Sequence, residues 1–319
     1  MKQIALLCAL VLLIGLLPMG GVLAENEPVR VRGLIGPTGM SLAPMFSEYS
    51  RDYTIELSAA PEEMAGIVAS GDYDIAALPT NLAAILYQKT KGSLQMLAVN
   101  TLGVLYVLEK GNSIQTVKDL AGKTITLSGQ NATPEYALNY ILAVNGVEAA
   151  LDFKSEHNEV STLAASGKAD IVMLPQPMVT ALLMKDSGYR VALDITKEFA
   201  AAAQMDGKPE TVLSMGCLVV RREFAQQRPE DLKTFMQRYM EAVAFVNAEP
   251  AKAAEAIAEF GILPNAKIAE KAIPLCNIVY MDGEEMKAQL APLFDILFSA
   301  NPASVGGQVP DDGFYYIAK

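Results

Sequence analysis

Four short stretches of this chain place hydroxyls, carboxamides and free backbone N–H groups where a strand gives way to a helix. They are Pro37-Thr38-Gly39-Met40, Pro79-Thr80-Asn81, Ser128-Gly129-Gln130-Asn131-Ala132-Thr133 and Pro175-Gln176-Pro177. Such side chains exchange hydrogen bonds without titrating, and the N–H groups at a helix start favour anions or polar acceptor atoms. The chemistry on offer is recognition of a small polar molecule. Its candidate contacts are Thr38, Gly39, Met40, Thr80, Asn81, Ser128, Gly129, Gln130, Asn131, Ala132, Thr133 and Gln176. Ordinary turns and caps are the plainer reading of the same residues, and Thr133 and Asn81 are suited to capping in either case.

Groups that break bonds are scarce. His157 is the single histidine, and the polar run Lys154-Ser155-Glu156-His157-Asn158-Glu159 around it reads as solvated surface. A metal site needs several His, Cys or carboxylates at ligand spacing, and none is spaced that way, so no metal or other cofactor is expected. Neither a Gly-x-Ser-x-Gly elbow nor a phosphate-binding Gly-x-x-x-x-Gly-Lys loop occurs. No catalytic residue is assigned. Met40, Met45, Met173, Met178, Met205 and Met215 flank the loops and could line an apolar wall, with core packing as the commoner use. With no Trp in the chain, aromatic contacts must come from Tyr or Phe, such as Tyr106 or Tyr136.

Each loop needs a strand before it and a helix after it. Val29 to Gly36 predicts a strand, and Met40 to Ser50 a helix. Thr54 to Leu57 and Asp74 to Leu78 predict strands, with helices over Glu62 to Ser70 and Leu82 to Lys89. Gln95 to Asn100, Val104 to Glu109, Thr124 to Leu127, Asp170 to Leu174 and Leu213 to Val220 are further strands. Helices are expected over Pro134 to Val144 and Val160 to Ala165, and over most of the chain beyond Pro229. Strands alternating with helices imply a mainly parallel sheet flanked by helices.

The plan occurs twice. Ser70-Gly71-Asp72-Tyr73-Asp74-Ile75-Ala76-Ala77-Leu78-Pro79 is echoed by Ser166-Gly167-Lys168-Ala169-Asp170-Ile171-Val172-Met173-Leu174-Pro175. Two α/β lobes follow: residues 25–108 with 217–319 as the first, and residues 109–216 inserted as the second. Two hinge crossovers, near Leu105–Glu109 and Leu213–Leu218, would join them. Ligands of open α/β sheets sit beyond the carboxyl ends of the strands. Pro79-Thr80-Asn81 and Pro175-Gln176-Pro177 are therefore expected to face one another across a cleft.

The first residues read as a leader. Met1-Lys2 precedes an apolar run from Ile4 to Leu17, then Pro18, Gly20-Gly21 and small residues up to Ala24. That is a secretory signal peptide over residues 1–24, its apolar run shorter than the roughly 20 residues a membrane span needs. Cys8 has no apolar core in front of it, so a lipid anchor is not expected, and the mature protein reads as soluble and periplasmic. A net charge of −11 with scattered Lys and Arg excludes nucleic-acid binding. Cys217 and Cys276 lie in apolar contexts, and either a disulfide or two buried thiols would suit an exported chain.

Thr116-Val117-Lys118-Asp119-Leu120-Ala121-Gly122-Lys123-Thr124-Ile125, the stretch Ser128 to Tyr136, and the two Asp-Ile-x-x-Leu-Pro units resemble segments of one known family. These are the ABC-transporter substrate-binding proteins of the type II periplasmic-binding fold, in the branch that takes aliphatic sulfonates, nitrate and thiamine pyrimidines. The resemblance spans nearly all of the mature chain. It implies capture of a small-molecule ligand between lobes, hinge closure, and delivery by a monomer to a membrane permease with its ATPase. A ligand-sensing receptor subunit and an enzyme on the same fold are the alternatives. The four loops depart from the family pattern in carrying neither a carboxylate for an aminopyrimidine nor Arg or Lys for a sulfonate. A neutral or weakly anionic ligand suits them best.

Overall fold

The computed structural model describes residues 27–185 and 188–318; the expected leader lies outside the described residues. Strands β1 (Val29–Leu34), β2 (Tyr53–Ser58), β3 (Ile75–Pro79) and β4 (Leu94–Leu102) come first. They are followed by β5 (Leu105–Lys110), β6 (Thr124–Ser128), β7 (Ala150–Lys154), β8 (Ile171–Pro175), β9 (Tyr189–Asp194), β10 (Ser214–Arg221) and β11 (Ile278–Asp282). One sheet runs β11-β4-β10-β3-β1-β2 and the other β7-β6-β8-β5-β9. Aside from β11, the two orders are the same. In each, a first strand lies parallel between the second and third. An antiparallel strand then separates the third from the fourth.

That antiparallel strand reveals how the halves are joined. The chain leaves β4 of the first sheet and, two residues later, enters β5 of the second; it returns from helix Ile195–Met205 into β10 of the first. Sheet membership therefore changes at Gly103-Val104 and just before Ser214, upstream of the junctions expected at residues 108/109 and 216/217. A continuous apolar run across Val104 to Leu108 hides the first change, because β5 is buried on both faces of the second sheet.

Local chemistry accounts for the elements. In β1, Val29 and Val31 are buried while Arg30 and Arg32 alternate outward, the period-two pattern of a strand with one covered face. Ile75 to Leu78 of β3 is buried on both faces, as befits a strand inside a sheet clad by helices. Helix Pro61–Ser70 starts on Pro with Glu62 and Glu63 in its first turn and stops at Gly71 in the left-handed region, φ 74°. One core cluster links Leu34, Val99 and Phe294 of the first half through Leu105 to Leu127, Tyr136 and Phe199 of the second. Another, with Val31, Ile75, Leu218, Phe235 and Tyr239, fills the opposite face of the first sheet. Strands β7, β9 and β11 and helix Ile195–Met205 go beyond the elements read from the sequence.

The far end of the first sheet is tied by a buried charge. Asp74 accepts the Arg30 backbone N–H at 2.9 Å, Arg30 Nη2 at 2.9 Å and Arg221 Nη2 at 3.0 Å, joining β1, β3 and β10. Burial alone would raise its pKa, but the hydrogen bonds from Arg30 and Arg221 outweigh it and hold the carboxyl below its ordinary range. A folded value below the unfolded one gives stability that is present above about pH 4 and is lost as pH falls through the folded value. Asp74→Asn is expected to cost about 2 kcal/mol at pH 7, since it removes the buried charge that accepts from the half-exposed Arg30 and Arg221. Urea unfolding of the variant and wild type at pH 7 and pH 3 checks this, with a smaller gap predicted at the lower pH.

Candidate functional site

On the first sheet the site begins beneath the β1 loop. Helix Pro37–Met40 follows β1 directly, and the Thr38 carbonyl accepts Asn100 Nδ2 at 3.3 Å. Asn100 also donates to Tyr239 Oη at 3.1 Å, and that hydroxyl bonds Ser41 Oγ. Thr101 Oγ1 donates to Asn100 Oδ1 at 3.0 Å, which closes a buried polar network under the loop. Thr38 lies against Gly216 so closely that a Cβ there would overlap its methyl group. At the end of β3, Thr80 Oγ1 and Ser214 Oγ share a hydrogen bond of 2.7 Å.

On the second sheet, Ser128 Oγ at the end of β6 bonds His157 Nδ1, on the first residue of helix His157–Ala165. The Gln176 carboxamide turns back onto its own helix, where Oε1 accepts from Thr180 Oγ1 at 2.7 Å. At the end of β9, Asp194 caps helix Ile195–Met205 by accepting the Thr196 N–H at 3.0 Å.

Strand register brings the two edges together. Leu102 pairs with Ser214, which holds Thr80. Leu105 pairs with Pro175, and the Gln176 N–H donates to the Val104 carbonyl at 2.9 Å. Three residues, at most about 10 Å of chain, thus separate the strand positions that hold the β3 loop and the β8 loop. Gly103 between them tolerates no side chain, because a Cβ there would overlap Thr196 Oγ1 and meet Leu213 at 3.2 Å. The halves also touch through Tyr106 Oη on the Leu275 carbonyl at 3.0 Å, Asn277 Nδ2 on the Gly103 carbonyl at 2.5 Å, and Asn301 Nδ2 on Tyr136 Oη at 3.0 Å.

The sequence-derived residues divide accordingly. Thr38, Gly39, Thr80, Ser128, Thr133 and Gln176 are buried at the strand ends, and Asn81, Gly129 and Ala132 are half-buried there. Met40 is fully buried in the first-sheet core with Leu42, Met45 and Phe235, so its side chain fills the interior. Gln130 and Asn131 are exposed. Asn131 lines a groove of about 600 Å³ between helices Thr133–Asn145 and Gly283–Ala300. Thr133 is the first helical residue and caps nothing: Ala132 holds the cap position, and the Glu135 carboxylate accepts the Asn131 N–H. Pro79, not Asn81, stands at the cap of helix Thr80–Lys89. Cys217 and Cys276 are buried free thiols, and burial pushes the Cys276 thiol up to about 12.

Ser214, Thr180, Thr196 and His157 were not among the candidate contacts. Asp194-Ile195-Thr196 carries a capping signal that could have located a fifth loop, whereas nothing local to Ser214 marks its partner. His157 is half-buried rather than solvated, and burial lowers its pKa below the usual 6.5. A folded value below the unfolded one means that stability from the neutral ring is intact above about pH 6.5 and is lost as pH falls through the folded value. Because the chain has a single histidine, an NMR titration of its imidazole signal reads this directly. The predicted midpoint lies below 6.5; one at or above it would mean a solvated ring.

A protein-family model described as NMT1/THI5 like matches residues 52–253. No curated protein matches the chain. Among solved structures, an ABC transporter protein from Parabacteroides distasonis is 20% identical with a TM-score of 0.79, over 92% of this chain and 100% of that one. The periplasmic aliphatic sulphonate binding protein SsuA from Escherichia coli is 15% identical with a TM-score of 0.67, over 92% and 94%. The desulfurization enzyme DSZB is 13% identical with a TM-score of 0.61, over 92% and 97%. The shared fold is the two-lobed type II periplasmic-binding fold expected from the sequence.

Proposed function

The chain belongs to the NMT1/THI5-like family, and on that premise we propose that it is the extracytoplasmic solute-binding component of an ABC importer. It takes a small polar or amphipathic organic molecule between two lobes, residues 27–103 with 214–318 and residues 104–213. It closes over that molecule and, as an exported monomer, delivers it to a membrane permease. The observation that supports this reading is the strand register, which anchors the β3 loop and the β8 loop on either side of the Gly103 crossover. Loops from both lobes can make contacts that are stronger in the closed state, which is what couples occupancy to closure. Thr38, Gly39, Thr80 and Asn81 supply the first lobe's contacts. Ser128, Gly129, Ala132, Thr133 and Gln176 supply the second's, with Gln130 and Asn131 at its rim.

An enzyme on the same fold is the second reading, favoured by the Ser128–His157 pair and the likeness to DSZB. A serine nucleophile needs a base that is itself oriented by a third group. Among the described residues no carboxylate is hydrogen-bonded to His157. Turnover of a bound compound would decide for the enzyme.

Mass spectrometry of small molecules released from the purified protein should find one compound near stoichiometry. At a hundred times its Kd, that compound should add about 2.7 kcal/mol of stability, read as a rise in Tm. Gly103→Ala, which cannot keep the close approach to Thr196, is expected to weaken binding at least about tenfold. A protein that releases nothing and responds to no compound is not a solute-binding protein of this kind.

A further inference from the structure

Gln176 is buried, with 1% of its surface exposed. Its Oε1 accepts both the Thr180 backbone N–H at 3.3 Å and Thr180 Oγ1 at 2.7 Å. A backbone donor at one end of the carboxamide fixes that end as oxygen, so the other end is the donor Nε2. This Nε2 has no hydrogen-bond partner among the described residues. A buried donor left unpaired destabilises a fold, and native proteins retain few of them. This one stands at the lobe edge, on a residue whose backbone is bonded to the Val104 carbonyl of the crossover.

Carboxylates occupy several helix starts of the same lobe. Glu135 Oε2 takes the Asn131 N–H at 2.5 Å, and Glu159 Oε2 takes the Ser155 N–H at 3.2 Å and Ser155 Oγ at 2.9 Å. Asp194 Oδ1 takes the Thr196 N–H at 3.0 Å. The second lobe thus fills its own anion-accepting positions with carboxylates. Its nearby cations are engaged too, Lys154 with Asp152 at 2.8 Å and Lys197 with Asp194 at 3.3 Å. Residues 35–41, 79–82, 128–134, 155–158, 175–178 and 213–216 contain no Lys or Arg.

We propose that Gln176 is a specificity-determining contact whose Nε2 donates to an uncharged, carbonyl-type oxygen of the ligand, and that this edge of the cleft selects against anionic ligands. The inference rests on the cleft-binder reading above and names the class of molecule bound. Specificity arises from both sides of the comparison: a neutral acceptor satisfies the idle donor, while an anion finds no Lys or Arg in these loops to offset its desolvation.

The test uses matched probes, each an anion beside its uncharged congener: benzoate and benzamide, nicotinate and nicotinamide, benzenesulfonate and benzenesulfonamide. Thermal shift and calorimetry are run on the full chain and on two variants. Gln176→Glu keeps an oxygen for Thr180 but replaces the donor, and Gln176→Met removes the donor without adding charge. Uncharged members should raise Tm where their anionic partners do not. Both variants should weaken the best uncharged probe about tenfold to a hundredfold. An anion bound more tightly than its congener overturns the proposal. So does unchanged affinity in either variant that folds, which would leave the binder reading intact. Silence from every pair counts against the cleft-binder reading itself and takes this inference with it.

Discussion

The whole molecule depends on the exchange of one strand between its halves. Each sheet is completed by a strand that arrives from the other side, β5 in one and β10 in the other. The same apolar cluster runs through the first crossing, from Val99 by way of Leu105 to Leu127. Gly103 sits in that crossing without room for a methyl group. Any movement of one half against the other would have to be absorbed at a few residues there, as in hinge bending. The loops that could hold a ligand are fixed in distance from those residues by strand register.

The two copies of the plan have specialised in different ways. Asp74 in the first is buried under Arg30 and Arg221, whereas Asp170 in the second is exposed. The second sheet uses another buried carboxylate, Glu109, which accepts from Ser113, Ile114 and Arg190. Past the shared proline the chemistry separates further. Thr80 spends its hydroxyl on Ser214 of the returning strand, while Gln176 spends its oxygen on Thr180 and keeps its nitrogen free. The two loops thus differ in what they leave unpaired, and the second keeps a buried donor at the end of β8.

Much of this was legible in the residues. The repeated Asp-Ile-x-x-Leu-Pro units located the equivalent strands and their loops, because a buried strand ending in proline leaves a strong local pattern. Strand β7, Ala150 to Lys154, escaped because it is an edge strand with no fully buried position and little hydrophobic contrast. Met40 could not be placed because side-chain direction on a helix of one turn depends on packing, and packing buried it. His157 looked solvated from its polar neighbours, yet its ring turns inward to Ser128, a contact with a residue on another strand. Thr133 carried a good capping signal, but the neighbouring Glu135 carboxylate satisfies the loop instead. Long-range packing decided Met40 and His157, whereas a competing local carboxylate decided Thr133.

If the two lobes close over a ligand by bending at the crossings, the distance between them must change on binding. Ser70 and Ser166 are exposed equivalents in the two copies, and Cys217 and Cys276 are buried, so introduced cysteines at the two serines would take spin labels selectively. Pulsed electron resonance then measures the distance between lobes, before and after addition of the small-molecule fraction released from the protein. The distribution should be broad without ligand, and should shift and narrow to one population with it. A distribution identical in both conditions would contradict such closure.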